Sequence, residues 1–540
     1  LVPARGGSRG LPRKNVLTLA NKPLIGHVLD TLAGHWDGAG IIVMTDDDEI
    51  ASIAERRGAR VLREAKASGQ ATLDDVALEV CKRLAAEGAT AEDFLITVQP
   101  TCPFIKAATI QTCIDHLAQG ARTVLTVTDD RRLRWTRDAQ GNAIAMYEAR
   151  LNRQALKPVW RETGGVIAGI VGDILKTGTR IQSGHVAIVE VDEKEAVDID
   201  GQTDFLIAQH YATRRKAAIR ADGSHQLGVG HVQRAVALAA QLVGYDVEIV
   251  TRCEGAYALG HKLLSAHAFA LRGIETEDEF IAAMDESRPD IVFLDILNTA
   301  PETISALRRV AGKIVTFEDL GEGAGLADLV VNDLYASPAP EKNTLSGVEN
   351  ALLSTAFDHV SPRRGVGERV ENLLVLFGGT DPSNLTEKAL SALKGVAFDG
   401  HVTLVLGPGR ADRPVALADY GLKGEVLRDV GDMAAVMSRA DLALSSAGRT
   451  VTELMTMGVP ALVLCQNRRE LLHTHASMPY GVMNLGLGSL IDLQTVQNTL
   501  RYLLEDRELR ARMNALMLRA TANRDNRRIV RRIERMLYVE

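Results

Sequence analysis

The chain has 540 residues, 46% hydrophobic, 24% charged and 4% aromatic, with a formal net charge of −7. That length suits about three to four compact units of ordinary soluble composition, and the acidic balance argues against bulk nucleic-acid binding. No apolar run approaches the roughly 18 residues of a membrane span, and five scattered cysteines without metal-ligand spacing point to a reducing compartment. No signal-peptide pattern opens the sequence, so a cytoplasmic location is expected. The chain begins without Met and almost inside its first apolar run, so either a few residues precede it or the first strand is short.

The apolar start Leu1-Val2 enters a loop holding Gly6, Gly7 and Gly10, punctuated by Arg5, Arg9, Arg13 and Lys14. Glycines let backbone N–H groups turn inward around phosphate oxygens, and the cations supply the charge a polyphosphate needs. Alone, such a cluster is weak evidence, and a plain surface turn is the other reading. Strand-like runs follow at 41–44, 94–98 and 123–127, with helical stretches between them. This is the βαβ rhythm of a mostly parallel sheet, whose ligands sit beyond the carboxyl ends of the strands. Two of those ends are Thr45-Asp46-Asp47-Asp48 and Gln99-Pro100-Thr101.

The pattern pauses at 211–217 and restarts with a strand at 218–220. A second α/β series follows, with strand runs at 247–250, 291–294 and 314–317. Residues 361–368 read as a linker, and a third series opens with the strand 373–377. Ile529, Ile533, Met536 and Leu537 lie at helical spacing near the end, with arginines between them as the solvated face of a closing helix. The expected fold class is α/β, organised as a domain over 1–212, a lobe over 217–362 and a lobe over 370–540.

The string Pro3–Asn15, with Pro12-Arg13-Lys14-Asn15 at fixed register, resembles the N-terminal signature of the CMP-sialic acid synthetase (acylneuraminate cytidylyltransferase) family. Further clusters agree in order and spacing: Thr45–Ile50, Gln99–Pro103, Asn152-Arg153-Gln154, Glu162–Gly165, and Asp198-Ile199-Asp200 with Asp204-Phe205 behind it. The resemblance implies a Rossmann-like nucleotidyltransferase domain. It would join CTP to a nonulosonic 2-keto sugar acid of the sialic, pseudaminic or legionaminic kind, releasing pyrophosphate. The sugar's anomeric hydroxyl would attack the α-phosphorus in line, leaving the protein to position the partners and stabilise charge.

Arg5, Gly7, Ser8, Arg9, Lys14 and Asn15 are the implied CTP ligands, with Arg5 and Lys14 also catalytic. Gln99 and Arg153 are implied for the sugar acid; the other reading of Arg153 is a surface ion pair. Asp198 and Asp200 lie two apart at an expected strand end, both facing one side, where paired carboxylates suit catalytic Mg²⁺. An isolated pair of this kind would instead be a solvated turn. Arg9 stands where lysine is usual, exchanging a point charge for a planar fork. The segments 63–75 and 165–168 depart from the family, which leaves the sugar acid open. Related synthetases are dimers, so a homodimer is the expectation.

A second loop, Gly228-Val229-Gly230-His231-Val232-Gln233-Arg234, follows the strand at 218–220 and opens a helix. It lacks the third glycine of a dinucleotide fingerprint, and Gly255…Lys262 only approaches a P-loop. With Phe377–Thr386 and Asp441–Pro460, it resembles the UDP-sugar hydrolase of pseudaminic acid biosynthesis, a two-lobed relative of GT-B glycosyltransferases. The resemblance implies a UDP-2,4-diacetamido-trideoxyhexose held by Gly230, His231, Gly379, Thr380, Asn384, Gly448, Thr450 and Glu453. His231 would be the general base, and a helix N-terminus suits a neutral ring there. The chain departs in three places: Leu297 stands where the family has tyrosine, Arg449 replaces a glycine beside the expected phosphate site, and 465–470 diverges. A sugar transferase, or a nucleotide-sugar-binding module without catalysis, is the alternative for this half. The whole chain as a non-catalytic binder is the alternative from another class.

Overall fold

The computed structural model describes residues 1–7, 10–64, 71–335, 343–410, 415–428 and 430–538. They form two compact units, 1–214 and 215–540, both α/β; the first mixes parallel and antiparallel pairing where a mostly parallel sheet was expected, and the second is built on parallel sheets.

In the first unit, Val2–Pro3 pairs parallel with Ile42–Thr45, which pairs with Arg60–Arg63. A second set runs in the order Val186–Glu190, Thr123–Asp129, Trp160–Ile170, Phe94–Val98. The two sets meet where the Val98 N–H donates to the Leu1 carbonyl at 2.9 Å. Val43, Val98, Val124 and Ala168 are buried in one core beneath the helices Leu24–Ala33 and Ala107–Ala118. Trp160–Ile170 runs antiparallel to both neighbours, and its register shifts between Glu162 and Ile167. Gly164, at φ 74°, sits in that irregularity. A bulge re-aims backbone toward a site, and here it carries Gly164 to Gln99 and Asp198.

The second unit contains two all-parallel sheets. One has seven strands in the order Ala270–Ile274, Tyr245–Arg252, Arg215–Ala221, Ile291–Asp295, Lys313–Phe317, Leu329–Asn332, Thr344–Ser346. The other has six, in the order Lys423–Arg428, His401–Leu406, Asn372–Leu376, Leu442–Ser445, Ala461–Cys465, Val482–Leu487. Their central strands are covered on both faces and read as unbroken apolar runs, as in Ile291–Asp295, buried throughout. In each sheet the first strand in sequence lies between two later ones, which makes the switch point where α/β sheets open a crevice at their carboxyl ends.

The closing helix, Arg527–Tyr538, departs from the expected lobe limits. Ile529, Val530 and Ile533 are buried with Ala217, Ile219, Phe293 and Phe317, in the core of the seven-stranded lobe. The chain therefore crosses back, and 527–538 packs with the lobe opposite the one that precedes it in sequence. The apolar stripe at 529, 530 and 533 finds its partner surface there, while Arg527, Arg528 and Arg531 stay exposed on the other side.

Candidate active sites

The glycine loop of the first unit is pinned from several directions. The Gly6 N–H donates to Asp46 Oδ1 at 2.8 Å, and a Cβ at Gly6 would stand 2.5 Å from the Asp47 carboxylate. A Cβ at Gly10 would stand 2.4 Å from the Asp200 carbonyl. Asn15 Nδ2 donates to the Arg5 carbonyl at 2.9 Å, closing the loop on itself. Arg5 forks onto Glu64, with Nη2 2.7 Å from Oε1. Gly7 has open space where a Cβ would go, so the backbone can be approached there. Ser8 and Arg9, both implied CTP ligands, lie outside the described residues.

Lys14 is buried, and its ammonium donates to the Ile199 carbonyl at 2.5 Å and to Asp200 Oδ1 at 3.1 Å. This joins the opening loop to the segment carrying the aspartate pair. That segment is not the expected strand end: residues 192–200 are turn and coil leading into the helix Gln202–Thr213. The alternation of a strand is therefore lost. Asp200 is 79% exposed at its side chain, while Asp198 is sunk in the site with Oδ1 buried and without a hydrogen bond. Burial pushes the Asp198 carboxyl above its ordinary value; the Thr101 hydroxyl and the Lys14 charge oppose this, and the Asp200 charge adds to it.

Gln99 Nε2 donates to the Gly164 carbonyl at 2.8 Å. A Cβ at Gly164 would come within 2.9 Å of that nitrogen and 3.5 Å of Asp198 Oδ2. Gln99, Gly164, Asp198, Asp200 and Lys14 thus form one cluster beside the loop. Arg153 is tied elsewhere. It opens a short turn, is 61% exposed, and lies 3.7 Å from Glu193, which is the surface ion-pair alternative. Among the described residues no three His, Cys, Asp or Glu side chains converge as a ready metal cage. The orphaned oxygen of Asp198 and the exposed carboxylate of Asp200 fit a cation completed by phosphate oxygens and water.

The second unit has a cavity of about 610 Å³ between its lobes. Gly230 and His231 line it from the seven-stranded lobe; Gly379, Thr380, Gly448, Thr450 and Glu453 line it from the six-stranded lobe. Among the described residues the lining reaches Pro382 but not Asn384. Asn384 instead begins the helix Leu385–Gly395 in a left-handed conformation. The preceding Asp381 caps that helix, accepting from the Leu385 and Thr386 N–H groups at 2.8 and 3.0 Å. Much of the Asp381–Thr386 motif is therefore architecture. Gly379 is required by the lobe contact, since a Cβ there would lie 2.3 Å from Val229 Cγ2.

His231 is the second residue of the helix Gly230–Gln241. Its Nδ1 is 2.5 Å from Asp295 Oδ1, which leaves Nε2 as the ring nitrogen free to face the cavity. Asp295 ends a central strand and is buried. Arg234, one turn along the same helix as His231, donates Nε to Asp295 Oδ2 at 2.5 Å and Nη1 to Glu318 Oε1 at 2.5 Å. Its guanidinium lies 4.9 Å from the Phe317 ring centroid. Burial alone would raise the Asp295 carboxyl, but Arg234 and His231 hold it below its ordinary value. Burial likewise works against Glu318, which Arg234 and Arg449 pull far down. Burial leaves Asp333 above its ordinary value despite the same two arginines.

Sequence reasoning read Asp295-Ile296-Leu297 for its absent tyrosine and gave Asp295 no role. Leu297, where a tyrosine was expected, lines the cavity at φ 71°. Glu318, at φ 49°, is a second left-handed non-glycine residue in the same wall; such strain gathers at functional sites. Glu453 lies one turn after Thr450, so both face the cavity from one helix side. Burial lifts its carboxyl to about 7.

Residues 1–167 match the family model described as Cytidylyltransferase. The CMP-N,N'-diacetyllegionaminic acid synthase of Legionella pneumophila is 26% identical over 220 residues, 39% of this chain and 93% of that protein. The spore coat polysaccharide biosynthesis protein SpsG of Bacillus subtilis is 27% identical over 300 residues, 52% of this chain and 86% of that protein. An alignment of that length exceeds the 214 residues of the first unit and so takes in part of the second. Of two other curated relatives the chain spans only about half the length, 56% and 50%. Among solved structures, Acinetobacter baumannii MurG is 19% identical and covers 60% of this chain and 100% of its own, with a TM-score of 0.46. Among the described residues no helix is long and apolar enough to cross a membrane. Residues 1–167 carry the cytidylyltransferase family match, and they are joined in one chain to a module with two parallel-sheet α/β lobes.

Proposed function

We propose that the first unit transfers a cytidylyl group from CTP to a sialic- or legionaminic-acid-like 2-keto sugar acid. The observation that carries this is the joining of Lys14, Asp200 and the orphaned Asp198 carboxylate beside the glycine loop of a cytidylyltransferase-family domain. Lys14 neutralises phosphate charge at close range, and the loop's backbone N–H groups hold the triphosphate oxygens. Asp198 and Asp200 would hold Mg²⁺, which when bound supplies positive charge to the triphosphate. Gln99, fixed by Gly164, orients the sugar acid. Pyrophosphate release from CTP, assayed across a panel of sugar acids, tests the reading; no release with any of them overturns it. A homodimer is the expected assembly, measured by light scattering of the full chain.

The second unit is read as a glycosyltransferase-like module that binds a nucleotide sugar, with UDP the first candidate. Its support is the cleft of a GT-B-type fold carrying the His231–Asp295 pair opposite the Gly448–Glu453 helix start. His231 Nε2 takes the proton of an attacking hydroxyl as the bond from the anomeric carbon to the nucleoside diphosphate breaks. Hydrolysis, with water as that hydroxyl, rests on motif resemblance alone and ranks second. UDP release that requires an added acceptor sugar supports transfer, release in water alone supports hydrolysis, and UDP binding without release makes the module a binder.

A further inference from the structure

Arg449 was singled out in the sequence because it stands where a small glycine is expected beside a phosphate site. Its side chain lines the cavity, and its guanidinium is held by groups of the facing lobe. Its Nη1 donates to Glu318 Oε1 and to Asp333 Oδ2, both at 3.0 Å, and its Nη2 donates to the Leu352 carbonyl at 2.7 Å. All three acceptors belong to the seven-stranded lobe or to the segment leaving it, whereas Arg449 caps a helix of the six-stranded lobe. Glu318 and Asp333 are also the carboxylates on Arg234, and Arg234 grips Asp295, which holds His231. One continuous chain of ion pairs therefore runs from the nucleotide-facing lobe to the ring of His231.

We propose that Arg449 is a positioning residue: it clasps the two lobes and, through Glu318, Arg234 and Asp295, sets the orientation and proton balance of His231. The inference rests on the reading of His231 as the base. The side chains at Glu318, Asp333 and Arg234 are 6%, 1% and 1% exposed, so solvent screens the chain little. Two guanidinium groups face three carboxylates, Asp295, Glu318 and Asp333, and His231 is the remaining titratable member. Removing the Arg449 charge leaves a surplus of negative charge that favours an additional proton; removing the Glu318 charge does the opposite. Arg469, His473 and His475, from the segment after Ala461–Cys465, also face the network, as do Tyr335, whose ring packs edge-on against His473, and Glu453, one turn after Thr450 and within reach of the Arg449 charge. Arg469 donates Nη1 to Asn298 at 2.9 Å and Nη2 to the Glu318 carbonyl, and the ring nitrogens of His473 and His475 face backbone carbonyls, to which they can only donate.

The test uses the full chain and three variants, Arg449→Met, Arg449→Lys and Glu318→Gln. The first readout is the downfield proton resonance of the His231–Asp295 hydrogen bond, identified by its loss in His231→Gln. The second is the pH profile of nucleotide release. Arg449→Met moves the resonance and shifts the acid limb of the profile upward by roughly one pH unit. Arg449→Lys restores both in large part, and Glu318→Gln shifts the limb downward. An unchanged resonance and profile in Arg449→Met overturns the proposal, as does failure of Arg449→Lys to rescue. If Arg449→Met does not fold, Glu318→Gln decides it: a moved resonance and a downward limb support the proposal, and an unchanged resonance and limb overturn it. If the wild type releases no nucleotide but the resonance responds as stated, the clasp stands and the base assignment falls.

Discussion

In the first unit each charged side chain of the site meets one or two partners near the surface, whereas in the second unit five charged side chains share one buried network. Lys14 and Asp200 form a pair with the aspartate 79% exposed; Arg234 touches three carboxylates at 1% exposure. On the proposed readings, the difference separates two ways of handling phosphate. The open loop would keep its charges available to a ligand that brings its own counterion. The cleft would spend its charges on holding the His231 ring, and leave phosphate to helix and loop N–H groups. Single substitutions should therefore act locally in the first unit and spread through the second.

The largest effect is expected from Asp295→Asn. It replaces the carboxylate on His231 Nδ1 with a neutral amide that can select the wrong ring tautomer, and it strips Arg234 of one charged partner, so activity of the second unit falls by about 10⁴. The same change destabilises that unit by about 3–5 kcal/mol, because a buried cation loses its counter-charge. Nucleotide release and denaturant melts measure the two effects, while cytidylyl transfer by the first unit stays intact. Asp198→Ala should lower cytidylyl transfer by about 10²–10³, with little loss of stability because, among the described residues, the buried carboxyl has no charged partner at ion-pair distance and its Oδ1 has no hydrogen bond. An equally large loss of stability there would erase the contrast between the two sites.

Lys14→Met comes next, with kcat/KM for CTP falling about 10- to 100-fold, the worth of one or two charge-assisted hydrogen bonds. Glu453→Gln is the smallest change and concerns stability against pH. The Glu453 carboxyl sits at about 7 in the folded protein, above the roughly 4.3 of an unfolded chain. The folded state therefore holds the proton more tightly, and stability falls as pH rises from about 4.3 through 7. Gln removes that slope, so the variant should melt a few degrees above the parent at pH 8 and close to it at pH 4. Thermal melts at both values check the sign.

What could be read without coordinates follows the same division. The strand runs at 94–98, 291–294 and 314–317 fall inside observed strands because buried parallel strands are apolar at every position. The loop at 3–15 was legible because its chemistry is contiguous: glycines, cations and Asn15 act within a dozen residues. Asp198 and Asp200 were found by type, but their environments were not, because coil breaks the alternation that spacing assumes. The network of the second unit was hidden because its members are distant in sequence. His231 and Asp295 are 64 residues apart, and Arg449 and Glu318 are 131 apart. Asp295 could have been found as a charged residue closing an apolar strand, the one polar position in a run that has no solvent to face. The return of the closing helix to the other lobe left no signal beyond its amphipathic stripe, which says that a partner surface exists without saying whose.

That return gives the second unit two connections between its lobes, one leaving through 347–371 and one coming back through 522–526. A single linker permits swivelling about its own axis; two parallel straps suppress that rotation and leave bending as the soft direction. The cleft should therefore open and shut like a clamshell on a double hinge. Gly379 against Val229 and the Arg449 clasp would then meet at the same register each time it closes.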